Sequence, residues 1–186
     1  LSGYLSNDMF SYYRENAFNY GNLAATLRWK LTFRREFYAD FRAIISNYDY
    51  QLDYNRDSTT FSSNYYSLNH TIARADFLYN PAGRHRIDFG FDATWYSLLP
   101  GERIPFGDFS VANPVTLEKE RALEPAIYFS DEFEVSSSLL VSGGIRAIFF
   151  TSFGPGTDYI YSEGLSRSPA TITDSVIYRR GEVREF

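Results

Sequence analysis

A two-residue alternation of apolar and polar side chains, recurring in run after run, limits the folds open to this chain more than any other feature. From Leu23, every second residue reads Leu23, Ala25, Leu27, Trp29, Leu31 and Phe33, against Asn22, Ala24, Thr26, Arg28, Lys30 and Thr32. After Arg34-Arg35-Glu36 the pattern returns as Phe37, Ala39, Phe41, Ala43 and Ile45, opposed by Tyr38, Asp40, Arg42, Ile44 and Ser46. Similar stripes follow in Ala73, Ala75, Phe77 and Tyr79, in Ile87, Phe89, Phe91, Ala93 and Trp95, and in Leu139, Val141, Gly143, Ile145, Ala147 and Phe149. A helical period of 3.6 would scatter these residues around a cylinder, so the alternation predicts strands. Beyond Ile45 the stripe moves to Tyr48, Tyr50, Leu52 and Tyr54, opposite Asp49, Gln51, Asp53 and Asn55, as a β-bulge or an exit from a buried band would produce.

Six strands are expected, at about 22–33, 37–54, 64–79, 84–98, 124–133 and 138–150, with weaker candidates near Met9–Arg14 and Ser175–Arg179. The connections alternate. Arg34–Glu36, Asn80–Gly83 and Glu134–Ser137 are short turns, whereas Asn55–Asn64, Leu99–Leu123 and Thr151–Phe186 are expected as long loops. Short turns at one end and long loops at the other are the habit of outer-membrane barrels, while soluble sandwiches usually turn tightly at both.

The composition narrows the reading. With 2 Trp, 16 Tyr and 17 Phe, 19% of the 186 residues are aromatic, which favours pleated, half-buried surfaces. Cysteine is absent, so disulfide scaffolds, thiolate metal sites and cysteine nucleophiles are excluded. A net charge of −5 disfavours a nucleic-acid partner, because phosphate neutralisation needs clustered cations. No apolar run approaches the roughly 20 residues of a membrane helix, but a membrane strand needs only about 9–11, alternating. The first residues show no basic segment or apolar leader, and stepping back from Phe186 meets Arg184, Glu182 and Arg180, so the chain is expected to be an internal piece of something larger.

Arg28, Lys30, Asp40, Arg42, Arg74, Asp76, Arg86, Asp88, Asp92 and Arg146 all fall opposite the apolar stripe. An ordinary antiparallel sheet with one wet face has the same alternation. Three further features favour a membrane barrel: the loop asymmetry, strands longer than the usual 5–6 residues, and aromatics (Trp29, Phe33, Phe37, Phe77, Tyr79, Trp95) near strand ends. On this reading Leu27, Trp29, Phe89, Phe91, Trp95 and Ile145 face lipid. Arg28, Asp40, Arg42, Arg74, Asp76, Arg86, Asp88, Asp92 and Arg146 face a lumen, pairing across strands or lining a solute route. Six strands leave two open edges in hydrocarbon, so the wall needs completing by other strands. The expected fold is therefore all-β, an antiparallel meander forming part of a large transmembrane β-barrel in a Gram-negative outer membrane.

The stretch Glu124-Pro125-Ala126-Ile127-Tyr128-Phe129-Ser130-Asp131-Glu132-Phe133, then a turn and Leu139-Leu140-Val141-Ser142-Gly143-Gly144-Ile145-Arg146, resembles the TonB-dependent outer-membrane receptors. Arg84-His85-Arg86-Ile87-Asp88-Phe89-Gly90-Phe91-Asp92 is similar to another of their strands, and the aromatic loops resemble the Bacteroidetes, SusC-like branch. Covering roughly Leu23 to Thr151, the resemblance implies a barrel of about twenty-two strands closed by a plug domain, of which this chain is a middle portion. It implies import of a glycan, peptide or metal chelate, with no covalent chemistry. The implied partners are outer-membrane lipid, the remaining barrel and plug, TonB, and a SusD-like surface lipoprotein. A small self-contained barrel, acting as adhesin or channel, and a soluble β-sandwich binding module stay open as alternatives.

No catalytic or cofactor site is expected. His70 and His85 sit on different strands with no cysteine to complete a metal set, so both are expected to be ordinary strand residues. Asp49, Asp53 and Asp57 lack the glycine and glutamate spacing of a dedicated calcium loop, and no nucleophile elbow accompanies the serines. Tyr48, Tyr50, Tyr54, Tyr65 and Tyr66 are expected as a headgroup girdle or as stacking groups for a solute.

Overall fold

The computed structural model describes residues 1–12, 16–81 and 83–184. Their regular structure is β-strand, with one short 3₁₀ turn at Pro169–Thr171 and no helix long and apolar enough to cross a membrane. The main sheet is an antiparallel meander. Its long strands are β1 (Ser2–Tyr12), β2 (Asn16–Arg34), β3 (Phe37–Tyr54), β4 (Ser62–Tyr79) and β5 (His85–Pro105). A two-residue β6 (Val115–Thr116) pairs the far end of β5, and β7 (Glu120–Ser136) pairs its length. β8 (Leu139–Ile148) and β9 (Thr151–Phe153) follow one another along the free edge of β7. A separate hairpin, β10 (Gly156–Tyr161) and β11 (Ile172–Tyr178), precedes β12 (Val183–Arg184), which returns to pair β9. The order is β1-β2-β3-β4-β5-β7-β9-β12, and the sheet is open: its end strands each have a single neighbour.

Strands β2 to β5 run 18 to 21 residues, about three times the usual length. The start of β2 and the far end of β5 extend beyond the expected bounds, whereas β3 has the length expected. The loop anticipated at Leu99–Leu123 is largely strand, because β5 continues to Pro105 and β7 begins at Glu120. Pro100 and Gly101 look like a stop signal, yet they form a bulge: Ser67 pairs Leu99 and Tyr65 pairs Glu102, so two residues of β5 oppose Tyr66 alone. A bulge is where a strand tolerates a proline, since no ladder hydrogen bond is required there. The loop expected over Thr151–Phe186 likewise holds β9 to β12, and the loop at Asn55–Asn64 ends where β4 starts at Ser62. Of the weak candidates, the one at Met9–Arg14 belongs to the longer β1, with Arg14 outside the described residues. The one at Ser175–Arg179 is the end of β11, in the small sheet. Ala82 of the anticipated turn and Phe186 also lie outside the described residues.

Short turns remain at one end, between β2 and β3, β4 and β5, and β7 and β8. At the other end lie residues 55–61, residues 106–119 with β6, and the stretch carrying the β10–β11 hairpin. Residues 13–15, between β1 and β2, lie outside the described residues.

Candidate functional site

Register turns the sequence alternation into two faces, and each face changes chemistry at the same level. On the first face, nearest the short turns, rows run straight across the strands: Leu31, Ala39, Phe77, Phe89, Phe129 and Ile145, then Trp29, Phe41, Ala75, Phe91, Ile127 and Ala147. The row through Ala25, Ile45, Thr71, Trp95 and Leu123 is the last apolar one. The next holds Leu23, Asn47, Asn69, Ser97 and Arg121, with Asn47 Nδ2 donating to Asn69 Oδ1 at 2.7 Å. Above it come Asp49, Gln51 and Asp53, the last accepting from Ser63 Oγ at 2.6 Å.

No bulge accompanies the change, because the β2–β3 and β3–β4 registers pass through Ile45 unbroken. The shift of the stripe to Tyr48 and Tyr50 is thus an exit from an apolar band. It is not a kink in the strand.

The second face reverses the order. Nearest the short turns it is ionic, in two adjacent rows. One carries Arg28, Arg42, Arg74, Asp92 and Ala126; the other carries Lys30, Asp40, Asp76, Gly90, Tyr128 and Arg146. Directly opposite like charges destabilise a sheet, and the side chains bond between the rows instead, either along one strand or diagonally to the next. Arg28 donates through Nε to Asp40 at 2.9 Å, Arg42 reaches Asp40 at 3.3 Å and Asp76 at 3.2 Å, and Arg74 Nε meets Asp76 at 2.9 Å. Arg146 crosses β7 over Ala126, which is 2% exposed, to place Nη2 2.9 Å from Asp92. Arg86 and Asp88 belong to the same face but form their own looser pair, 3.5 Å apart, toward the turn.

Tyr128 and Gly90 belong to this network and were not anticipated from the sequence. The Tyr128 hydroxyl donates to Asp76 across β5, and the Arg74 and Arg146 guanidiniums lie 5.9 and 6.0 Å from its ring centroid. A side chain at Gly90 would block that path, since its Cβ would fall 2.4 Å from the Ala75 carbonyl oxygen and 2.8 Å from the Tyr128 hydroxyl. An isolated glycine inside a clean strand pattern is the sequence signal for such a close approach.

Past the level of Ile45 the second face becomes aromatic and apolar. Tyr20, Tyr50 and Tyr66 form one row, their rings 5.3 and 5.5 Å apart, and His70 stands edge-on to Tyr96 at 4.8 Å. Tyr48 and Tyr54 share this face, but Tyr65 lies on the other, so the five tyrosines grouped in sequence are divided by the sheet. A hollow of about 380 Å³ is lined here by Leu68, Tyr96, Leu98, Ala122, Phe150 and Arg184, among others.

The burial pattern reverses the habit of a soluble sheet. Leu27 is 60% exposed, Phe91 52%, Ile127 59% and Ile145 74%, whereas Asp92 is 9% exposed. Trp29 and Trp95 are exposed as well, and Phe89 is half-buried among Phe37 and Phe77, with ring centroids at 6.5 and 5.1 Å.

His85 bonds Asp131 at 2.7 Å and stacks on Phe133, far from His70 in the sheet register. Asp49 and Asp53 are engaged by Asn47, Gln51 and Ser63, while Asp57 sits in the loop at 55–61 and accepts the Thr59 amide at 2.9 Å. That bond holds the Asp57 carboxyl below its ordinary 3.8. Among the described residues no cluster of three or more His, Asp or Glu is placed to hold a metal ion.

No protein-family model, curated protein or solved structure matches the chain.

Proposed function

We propose that the chain is part of the wall of a transmembrane β-barrel in a Gram-negative outer membrane, and that the barrel is a TonB-dependent importer of a nutrient. The observation that carries the membrane reading is the coordinated change of chemistry on both faces at the level of Ile45. Apolar residues on β3 extend from Phe37 to Ile45, close to the ~9–11 residues that a tilted strand needs to cross a bilayer. Exposed apolar surface then spans six strands, well beyond the few hundred Å² that soluble monomers leave open. Hydrocarbon covers such a face without desolvating anything polar. The ionic rows behind it lie in a wet lumen, where pairing between the two rows satisfies them. Above the bilayer, the first face turns polar because it meets water, and the aromatic second face forms the wall of an outer vestibule.

The open edges support a wall that other strands complete, since each unpaired N–H or C=O in lipid costs several kcal/mol. Import powered through TonB, with a plug and a surface lipoprotein as partners, rests on the motif resemblance at Glu124–Arg146 and Arg84–Asp92. The solute is a glycan, peptide or metal chelate that contacts the vestibule wall before the plug moves.

The absence of cysteine makes a direct test simple. Single cysteines at Leu27, Phe91 and Ile145, and at Asn47 and Asp49, are spin-labelled after reconstitution into liposomes. The first three are expected to be accessible to oxygen and shielded from a water-soluble nickel reagent, and the other two the reverse. Nickel accessibility at Leu27 equal to that at Asp49 defeats the membrane reading. The transport reading is tested separately, by deleting the chain's coding segment and measuring growth on scarce glycans, peptides and chelated iron. Unchanged growth on all three defeats it.

A further inference from the structure

The polar part of the first face contains a groove of about 710 Å³ that spans β1 to β5. Gly21 is its floor. In the row Asn7, Gly21, Asp49, Ser67 and Leu99 a position without a side chain is followed on the far side of Asp49 by a small serine, which leaves a trough between the taller neighbours. The backbone does not need glycine there, because a Cβ at Gly21 would meet nothing closer than Asp49 Cβ at 3.8 Å. The missing side chain makes the space.

The walls are rich in neutral hydrogen-bonding groups, notably Asn7, Asn19, Asn47 and Gln51, with carboxylates at Asp49 and Glu102 and a ring at Tyr65. Among the described residues no cation lines the groove. The amides of Asn7 and Asn19 make no side-chain hydrogen bond among the described residues, so both retain donors and an acceptor for a ligand. Phosphate and sulfate are disfavoured beside two unneutralised carboxylates. Vicinal hydroxyls suit amides and carboxylates, and the Tyr65 ring suits the flat face of a sugar. At the edge nearest the apolar band the lining becomes Leu5 and Leu23, one row above Ala25 and Ile45.

We infer that this groove binds the neutral saccharide headgroup of a membrane glycolipid, with its acyl chains continuing down the apolar band. The inference rests on the membrane reading above, which puts Leu5 and Leu23 at the acyl boundary and the amides at headgroup depth on the side facing lipid. A free oligosaccharide presents the same hydroxyls but has no acyl chains to hold against the Leu5–Leu23 edge.

The test uses the complete barrel of which this chain forms part, purified in a sugar-free detergent and reconstituted in nanodiscs of phosphatidylcholine containing a diglucosyl diacylglycerol of matched chain length, with retained lipid counted by native mass spectrometry. Wild type is expected to retain the glycolipid about tenfold over its share of the bilayer, the value of one to two good hydrogen bonds. Gly21→Trp, which fills the trough from a position with room for a side chain, is expected to abolish the enrichment while leaving insertion intact. Asn7→Ala combined with Asn19→Ala is expected to remove most of it. Enrichment that survives Gly21→Trp overturns the groove as the site. Free maltotriose that competes with the glycolipid at equal concentration overturns the lipid-borne source. Protein that inserts but shows no enrichment overturns the inference alone, whereas protein that fails to enter nanodiscs overturns the membrane reading beneath it.

Discussion

Tyr128 on β7 donates its hydroxyl to Asp76 on β4, passing over Gly90 on the strand between them. The contact joins three strands on the ionic face and gives Asp76 a neutral donor in addition to Arg42 and Arg74. Gly90→Ala places a methyl where the Tyr128 hydroxyl and the Ala75 carbonyl already sit, and the overpacking is expected to cost about 1–3 kcal/mol. Tyr128→Phe keeps the ring over Gly90 and removes only the hydrogen bond, for about 1–2 kcal/mol. The double variant should lose less than the sum of the two single losses, because the alanine has already displaced the ring. Urea unfolding in liposomes, read by the heat-modified gel shift, measures all three. Strict additivity would mean that Gly90 does not serve the Tyr128 path.

On the opposite face, Ala39 and Ala75 are 3% and 2% exposed, Ala39 paired with Phe77 and Ala75 with Phe41 and Phe91. The stacked pairs Phe37–Phe77 at 6.0 Å and Phe77–Phe89 at 5.1 Å close over these small residues. Ala39→Leu must push the rings apart and is expected to cost about 1–3 kcal/mol, while Ala43→Leu, at an exposed position one row beyond Phe41, should be near neutral. The same unfolding assay separates them.

The parts of the fold legible in the sequence are those where the band imposes alternation. Strand β3 is legible to its final residue because an apolar stripe from Phe37 to Ile45 is followed at once by a tyrosine stripe. The far end of β5, beyond residue 98, is hidden because Pro100-Gly101 is a turn signal to any local reading, and only pairing with Tyr66 makes it a bulge. β1 is faint in the sequence, since Asn7 interrupts its apolar stripe between Leu5 and Met9 and backbone pairing with β2 holds it in place. Of the candidate site, the ionic residues were visible one strand at a time. Which carboxylate meets which guanidinium depends on register, so Arg146 with Asp92, 54 residues apart, was not readable. The exchange of face chemistry at Ile45 appeared in a single strand as an ambiguity between bulge and exit, and five strands in register were needed to resolve it.

Asp57, in the loop at 55–61 beyond the apolar rows, supplies a pH dependence. Its carboxylate accepts the Thr59 amide, and the loop also closes through Thr60, whose amide meets the Asp57 carbonyl at 2.8 Å. The backbone hydrogen bond lowers its folded pKa from the ordinary 3.8, so the charged form favours the folded loop. That contribution is complete above 3.8 and fades as pH falls through the lowered folded value. A nitroxide at Ser58 should keep constant mobility from neutral pH down to the ordinary carboxylate range and loosen only below it. Asp57→Asn should remove the pH dependence, and loosening that begins near pH 6 would point to a different group.

Three neighbouring substitutions distinguish the two faces and the two levels. Phe91 stands in the middle apolar row, where the proposed membrane placement puts an arginine in hydrocarbon, so Phe91→Arg is expected to cost about 2–4 kcal/mol. Asp92, the next residue, points the other way. Asp92→Asn removes the charge that Arg146 meets, but the Arg146 side chain is 42% exposed and turns to water, which limits the loss to about 1 kcal/mol. Asn47→Arg, on the face of Phe91 but one row beyond the band, should cost no more than about 1 kcal/mol, as charges do near the interface. Equal losses at Phe91 and Asn47 would remove the depth dependence that only a bilayer imposes, and a loss at Asp92 exceeding that at Phe91 would mean that the ionic face is a dry core.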